Sequence, residues 1–475
     1  MPERPVFMRS GSSGRAFGVA ALGIGNALTL VMGSRAAATD AELVATLAGA
    51  LLGAAAMLWV ALDDHFERAS LAWVLGLALL LRLIAVQATP LLEDDHYRYL
   101  WDGMRTATAL DPYRLPPSAF FGTPGLSPRW SDILSGINYP DIPTIYGPLL
   151  QWLFAAAHAL APGQLGGVQA LVLVADMAVL VLLARQQVGM RVLLLYALHP
   201  LVLKEAMASA HPDGLVALWL LLATLAWQRG RALWVGVALG LAVSTKVAAL
   251  VALPLLLLCL PVGATGVTYG TRATRATRAS WVLRLLAGFA LSVAALYGPF
   301  IAVGGSDASA LRIFGTQWLF NPLGYRLLDA SLPAGAARPT AALMVALGLG
   351  VLVWRWRRRA RGEAAPEAPP LASAFALLLL CSPVVNPWYW LWALPLAHRS
   401  RERWVMAAAV VAMLSYLNTT VLSEAGWMAP ISAAESFRVD WPVTLAQALL
   451  MALAWAWWRR RPSAATPTVV EPGRR

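Results

Sequence analysis

Residues 71–103 read LAWVLGLALLLRLIAVQATPLLEDDHYRYLWDG, and this stretch contains the pattern that decides the fold. Its first part belongs to an apolar run over 69–89, which is about as long as a helix needs to be to cross a lipid bilayer. Three carboxylates, Glu93, Asp94 and Asp95, follow soon after this run. Like charges repel one another and are costly beside hydrocarbon, so the cluster indicates chemistry or ion handling. The alternative is the start of an ordinary water-exposed loop.

The composition of the whole chain agrees with a membrane protein. Of 475 residues, 59% are hydrophobic and only 13% are charged, about half the charged share of a soluble domain. We therefore predict an all-α polytopic membrane protein, a single transmembrane domain over 1–475 with about 14 spanning helices. Besides 69–89, the predicted spans lie near 16–34, 43–62, 165–184, 191–208, 212–228, 232–245, 247–262, 281–302, 340–356, 371–386, 388–398, 404–422 and 440–458.

The arginines predict the orientation. The net charge of +12 comes almost entirely from arginines grouped between apolar runs, so it indicates membrane topology and not nucleic-acid binding. With the amino terminus in the cytoplasm, every arginine group falls on the cytoplasmic side of the inner membrane. The predicted cytoplasmic segments are the linkers 263–280 and 357–370 and the tail 459–475, and the segment 90–146 becomes a large first outer loop. Cys259 and Cys381 lie in apolar runs, so a disulfide framework or a metal cluster is not expected.

The outer loop 90–146 is predicted to carry the active site. A helix over 93–108 would place Asp95, Tyr99 and Asp102 on one face and Asp94 and Arg98 on another. Asp111-Pro112 would end this helix, because the residue before a proline avoids the helical conformation. The apolar segment 146–158 is too short to span, so we expect it to be a helix at the outer surface.

Basic side chains from separate regions are predicted to reach the same outer face. They form a candidate pocket for a lipid phosphate: Arg98, Lys246, His211, Arg82 and Lys204. Asp176, in the middle of a span, is equally compatible with a structural ion pair. A lipid phosphate leaves without a general acid, so one carboxylate that takes a proton from an acceptor hydroxyl would suffice. This is the chemistry of sugar transfer from a polyprenyl-phosphate sugar.

The ordered motifs resemble those of bacterial GT-C mannosyltransferases that use polyprenyl-phosphate mannose and, more distantly, the catalytic subunit of the GPI-anchor first mannosyltransferase. The motifs run in order from about residue 70 to 400: Asp94–Gly103, Asp111-Pro112-Tyr113, Ile145-Tyr146-Gly147-Pro148, His199-Pro200 with Glu205, His211-Pro212-Asp213, Ser244-Thr245-Lys246, Trp318–Asn321 and Pro387–Trp390. The resemblance implies an inverting hexosyltransferase with a GT-C-like bundle, a mannose donor, and an envelope glycan or glycolipid acceptor.

The resemblance also implies roles for single residues. The general base would be Asp94, with Asp95 as the alternative, and Asp94 is further favoured because Arg98 follows it by one helical turn. The substrate-binding candidates are Tyr97, Trp101, Asp102, Glu205, Asp213, Trp318 and Asn321. No metal ligand and no firm cofactor is predicted. The distant relative has an Asp-x-Asp motif where this chain has Asp94-Asp95-His96, so a divalent cation remains an open alternative.

Two other classes of protein stay open at this point. An ion-coupled transporter would use Asp176, Glu205 and Lys246 as a path for ions, and a polyprenyl-lipid flippase would keep the basic residues but tolerate loss of the carboxylates. The single aromatic outer loop favours an enzyme. The sequence leaves the acceptor, the hexose, partner subunits and the oligomeric state undetermined.

Overall fold

The computed structural model describes residues 10–36, 38–260, 275–360, 368–398, 402–431 and 438–460. Across these ranges the chain is helical and contains no β-strand, only isolated bridges such as the one between Phe320 and Val384. The helices are α1 (Ser10–Ala36), α2 (Thr39–Leu62), α3 (Leu71–Ala85), α4 (Asp95–Ala109), α5 (Pro128–Ser135), α6 (Pro148–Leu160), α7 (Leu165–Arg185), α8 (Met190–Ala197), α9 (Gly214–Gln228), α10 (Ala232–Thr245), α11 (Leu253–Leu258), α12 (Arg275–Ala302), α13 (Ala308–Gln317), α14 (Tyr325–Ser331), α15 (Ala337–Ala360), α16 (Leu371–Cys381), α17 (Trp404–Ala412), α18 (Thr419–Glu424) and α19 (Trp441–Arg460).

Five helices are long and apolar enough to cross a membrane, and they lie within α1, α2, α7, α12 and α15. This supports a polytopic membrane protein. It does not confirm about 14 spans, because several predicted spans are short or broken. The expected span 191–208 is divided at Pro200 into α8 and a π-helical turn, Val202–Ala208. Proline cannot donate a helical hydrogen bond, so a break at this position has a direct physical cause.

Two further predicted spans are also replaced by short pieces. The segment 388–398 forms two 3₁₀ helices, Pro387–Trp392 and Leu394–His398, which are mostly buried. The segment 247–262 begins with a 3₁₀ helix, Val247–Ala252, followed by α11. Residues 261–262 of this segment lie outside the described residues, as do 263–274 of the first linker, 361–367 of the second and the tail from residue 461.

The outer loop contains the predicted helix. α4 begins at Asp95 and ends where Leu110 adopts a left-handed conformation with φ 52°, just before Asp111-Pro112. α6 also forms close to the predicted position. One face of α6 packs into the bundle instead of resting on its surface, since Leu150 and Phe154 are buried. Gly103 makes the contact between the two helices close, because a Cβ there would lie 2.4 Å from the carbonyl oxygen of Phe154.

The helices place Arg191, Arg229 and Arg231 at the end of the molecule opposite to the acidic cluster. α9 runs from His211-Pro212-Asp213 to Arg229, and α10 returns beside it from Arg231 to Lys246. Arg191 lies at the same end as Arg229 and pairs with Asp64 at 2.6 Å. From Arg191 the chain runs through α8 towards the acidic cluster at the other end.

Candidate functional site

A cavity of about 720 Å³ lies at the end of the bundle that carries the acidic cluster. Its wall combines the outer loop with the segments after α10, α13, α16 and α17. The polar and aromatic residues that line it are Glu93, Asp94, Asp95, Arg98, Asn138, Tyr139, Tyr146, Lys246, Phe314, Gln317, Trp318, Phe320, Asn386, Trp388, Tyr389, Tyr416 and Asn418.

Asp94 lies at the cavity wall immediately before α4. Its Oδ1 accepts a hydrogen bond of 2.7 Å from the side-chain amide of Asn138. Burial raises the pKa of Asp94 to about 6, and the neighbouring carboxylates Asp95 and Glu93 add to this effect while Asn138 opposes it. A carboxylate with this pKa is largely ionised at neutral pH and binds a proton more tightly than an ordinary aspartate does, as a general base requires.

Asp95 is the first residue of α4, and it contacts a different set of groups. The hydroxyl of Tyr146 donates to its Oδ2 at 3.1 Å. Burial raises the pKa of Asp95, while His211 and Lys246 act in the opposite direction. Both carboxylates that were predicted as candidate bases therefore line the cavity, each with its own hydrogen-bond donor.

Glu93 was not among the candidate site residues, but the structure places it at the centre of a group of charges. Its carboxylate accepts from Lys204 Nζ at 2.5 Å and pairs with His211 Nε2 at 2.6 Å. Burial alone would raise the pKa of Glu93, but His211 and Lys204 hold it below its usual value. Glu93 is therefore the ionised centre of a buried cluster at the floor of the cavity.

The cluster extends below Glu93. Lys204 also contacts the hydroxyl of Tyr416, and this hydroxyl donates to Glu205 at 2.6 Å. His211 Nδ1 lies 2.6 Å from the hydroxyl of Tyr99. Lys204, Glu205 and His211 are buried, so their charges and polar groups are satisfied mostly by one another.

Of the predicted phosphate-binding residues, Lys246 and Arg98 line the cavity. Lys246 follows the end of α10, and its Nζ is 4.8 Å from the ring centre of Tyr146 and 3.7 Å from Asp213 Oδ1. Gly147 allows the outer loop to approach this position, because a Cβ there would lie 2.3 Å from the carbonyl oxygen of Ser244. The Tyr146-Gly147-Pro148 motif thus brings the loop against Lys246.

The pairing of Asp94 with Arg98 that we predicted is not formed. Arg98 donates to the backbone carbonyl of Ile142 at 2.8 Å and to that of Tyr139 at 3.4 Å. The prediction failed because Asp94 lies before the first turn of α4, where its side chain meets Asn138 instead. Arg98 therefore fixes the turn of the outer loop that follows Asn138.

The other predicted phosphate ligands lie away from the open cavity. Arg82 is fully buried, where its Nε donates to Asp176 at 2.6 Å and the hydroxyl of Tyr196 donates to the same carboxylate. This arrangement is the structural ion pair that the sequence left open. Lys204 and His211 belong to the Glu93 cluster, although the ring of His211 stacks at 4.0 Å on Trp388, which lines the cavity.

Among the predicted substrate-binding residues, Trp318 lines the cavity. Asp102 is buried and accepts from Gln151 at 3.2 Å, which ties α4 to α6. Asp213 accepts from the indole of Trp392 at 2.7 Å. The remaining candidates also lie outside the cavity wall: Tyr97 against His96, Trp101 against Phe120, Glu205 beneath Glu93, and Asn321 beside Val385.

One group of side chains within the described residues has the spacing to hold a metal ion. The ligand atoms of Glu93, Glu205 and His211 lie within 4.8 Å of one another. Lys204 Nζ already lies 2.5 Å from Glu93 and 3.4 Å from Glu205, so its ammonium balances the charge that a cation would otherwise neutralise. The donor set therefore fits an internal ion-pair cluster better than a metal site.

Several residues of the site were missed by sequence reasoning. Asn138, Tyr416 and Glu93 were not among the candidate site residues, and Tyr389 was named only within the Pro387–Trp390 motif. Tyr416 comes from a distant part of the chain and carries no local pattern that predicts its contact with Lys204. Glu93 could have been predicted as a site residue because it belongs to the run of three consecutive carboxylates.

A comparison with protein families now identifies the chain. The family model of the MptA_B family, described as alpha-(1→6)-mannopyranosyltransferase, N-terminal domain, matches residues 8–262, which is more than half of the sequence. The chain belongs to this family. No curated protein and no solved structure matches it.

Membership in this family supports the resemblance to GT-C mannosyltransferases and a mannosyl-transfer function. It favours a glycosyltransferase over the transporter and the flippase. The matched range contains Glu93, Asp94, Asp95 and Lys246, whereas Trp318 and Trp388 lie beyond it.

Proposed function

We propose that this protein transfers a mannosyl residue from a polyprenyl-phosphate donor to a hydroxyl group of an envelope glycan or glycolipid. The observation that carries the proposal is that Asp94 and Lys246 line one cavity in a chain of a mannosyltransferase family. A base and a cation are the two groups that such a reaction requires from the protein.

The reaction follows from these two groups. The acceptor oxygen attacks the anomeric carbon as Asp94 takes its proton, and the bond from that carbon to the phosphate oxygen breaks. The electron pair leaves with the polyprenyl phosphate, whose charge Lys246 stabilises through a charge-assisted hydrogen bond. Direct displacement inverts the anomeric centre, so an α-(1→6) product, as the family's description names, requires a β-linked donor.

The orientation in the membrane is part of the proposal. Arg191 and the arginines of the α9–α10 turn lie at the end of the bundle opposite to the cavity, and arginine-rich ends face the cytoplasm. The active site then opens on the extracytoplasmic side of the inner membrane, where a lipid-linked donor is available and a nucleotide sugar is not. Because Lys204 balances the charges of Glu93 and Glu205, the proposal places no metal ion at the Glu93 cluster.

The test uses the purified protein in lipid nanodiscs with β-linked polyprenyl-phosphate [¹⁴C]mannose and octyl α-mannoside. We expect label to appear in an octyl dimannoside whose new linkage is α by NMR. Transfer from GDP-mannose but not from the polyprenyl donor would overturn the donor assignment, and a β-linked product would overturn inversion.

A further inference from the structure

Two aromatic rings from separate parts of the chain meet at the cavity wall. Tyr139 belongs to the outer loop and Trp318 follows α13, and their ring centres lie 4.5 Å apart with an angle of 49° between the planes. Both residues line the cavity, and Tyr139 is 44% exposed. Phe314 extends the group, with its ring centre 5.2 Å from that of Trp318. Exposed, adjoining aromatic faces in a cavity form a platform on which a ligand can stack.

The backbone of Tyr139 is held in an unusual conformation. Its φ of 51° lies in the left-handed region, which a bulky side chain rarely adopts. Arg98 bonds to the carbonyl of Tyr139, and the amide of Ser118 donates to the carbonyl of Pro140 at 2.9 Å. Strain of this kind persists only where the surroundings enforce it, and it is concentrated at functional sites.

Contacts through Asp95 and Asp94 connect Lys246 with the aromatic pair. Lys246 Nζ lies 4.8 Å from the ring centre of Tyr146, whose hydroxyl donates to Asp95 at 3.1 Å. On the other side, Asn138 donates to Asp94 at 2.7 Å and directly precedes Tyr139. Lys246 is therefore reached from the candidate base through Asp95 and Tyr146, and the aromatic pair is reached through Asn138.

We propose that Tyr139 and Trp318 form the acceptor subsite and stack on the apolar face of the pyranose ring whose hydroxyl is attacked. The proposal rests on the function proposed above. Displacement with inversion requires the nucleophile and the leaving phosphate on opposite sides of the anomeric carbon, and the base must touch the nucleophile. With the phosphate at Lys246, the acceptor lies on the side of Asp94 and Tyr139. The C–H groups of a sugar are attracted to the electron-rich face of an aromatic ring.

The experiment compares Tyr139→Ala, Trp318→Ala and Tyr139→Phe with the unmodified protein in nanodiscs. The KM values for octyl α-mannoside and for polyprenyl-phosphate mannose are measured separately. We expect each alanine variant to raise the acceptor KM about tenfold with little change in donor KM. Tyr139→Phe, which keeps the ring, should restore most of the acceptor affinity. Phe121→Ala is the matched control, since Phe121 is an exposed aromatic of the same loop outside the cavity wall.

The outcomes separate the two proposals. An unchanged acceptor KM in both alanine variants would overturn the subsite while leaving the transferase in place. If the alanine variants instead raise the donor KM, the aromatic pair contacts the donor sugar, and this result would also overturn the acceptor subsite. Failure of the unmodified protein to transfer mannose from the polyprenyl donor would instead remove the proposed function. Size-exclusion profiles identify any variant that fails to fold. If one alanine variant does not fold, the acceptor KM of the other alanine variant tests the subsite.

Discussion

Asp94 is the single residue on which the proposed reaction depends most strongly. Its carboxylate lines the cavity, accepts from Asn138 and has a pKa raised to about 6 by burial. General-base catalysis is typically worth about 10²–10⁴ in rate. We therefore expect Asp94→Asn to lose that factor in kcat, measured as the initial rate of mannosyl transfer at saturating donor, while donor binding is retained.

Asp95→Asn is the matched control, because Asp95 is adjacent and is bonded to Tyr146 instead of Asn138. A larger loss in Asp95→Asn than in Asp94→Asn would move the base to Asp95. The pH profile gives an independent check. Protonated Asp94 cannot accept a proton, so the transfer rate of the unmodified protein should fall as pH drops below about 6, with Asp94→Asn lacking this acid limb.

Lys246 is the cation best placed to meet the donor phosphate. Its side chain is 12% exposed at the cavity, whereas Lys204 is fully buried against Glu93. A hydrogen bond to a charged group contributes about 1.5–3 kcal/mol. Lys246→Ala should therefore raise the donor KM by about 10-fold or more. Lys246→Arg keeps the positive charge and should raise the donor KM by less than Lys246→Ala does. A normal donor KM in Lys246→Ala would show that the phosphate binds elsewhere.

At the scale of helices, glycines allow α10 to pack tightly on α12. A Cβ at Gly236 would lie 1.9 Å from the carbonyl oxygen of Leu285, and one at Gly288 would lie 2.1 Å from that of Leu233. Small residues of this kind let the backbones of membrane helices approach closely. Because Lys246 directly follows α10, this contact also sets the position of the cation in the cavity.

Gly236→Ala should destabilise the protein by forcing the two helices apart. Overpacking a tight contact costs about 1–3 kcal/mol, which should lower the midpoint of thermal unfolding in detergent. Gly350→Ala in α15 is the control, because a Cβ there meets nothing within 4 Å. Alanine favours a helix over glycine, so Gly350→Ala should leave the midpoint unchanged or raise it. Equal midpoints for the two variants would contradict a tight α10–α12 contact.

At the scale of the whole molecule, the arginines of the α9–α10 turn and the cavity lie at opposite ends of the bundle. This separation predicts that the outer loop and the turn between α9 and α10 are on different sides of the membrane. Thr123 lies in the outer loop, Gln228 is the last residue of α9 next to the turn, and both are exposed. With the amino terminus in the cytoplasm, Thr123→Cys should react with an impermeant maleimide in intact spheroplasts, and Gln228→Cys should react after lysis.

The unmodified chain is the control, because Cys259 and Cys381 are buried and should not react under either condition. Labelling of both introduced cysteines from the same side would contradict the topology. Labelling of Gln228→Cys alone in intact spheroplasts would invert it and place the cavity in the cytoplasm.

The sequence by itself determined those features that depend on neighbouring residues. Apolar runs predicted the helices of the bundle, because the hydrophobicity of a segment is local. The bounds of α4 agree closely with the prediction, since Asp111-Pro112 and the turn before it act on the backbone directly. The three carboxylates indicated the site because they are consecutive in the sequence.

The tertiary structure alone decided which charges meet. Arg98 has Asp94 one turn before it, yet it bonds to carbonyls of the loop after α5. Lys204 and His211, which were predicted as phosphate ligands, instead contact Glu93. Tyr416, from a distant part of the chain, contacts Lys204. A buried charge must be compensated by whatever packing brings near it, and that choice depends on contacts between distant segments, for which a single sequence holds no local pattern.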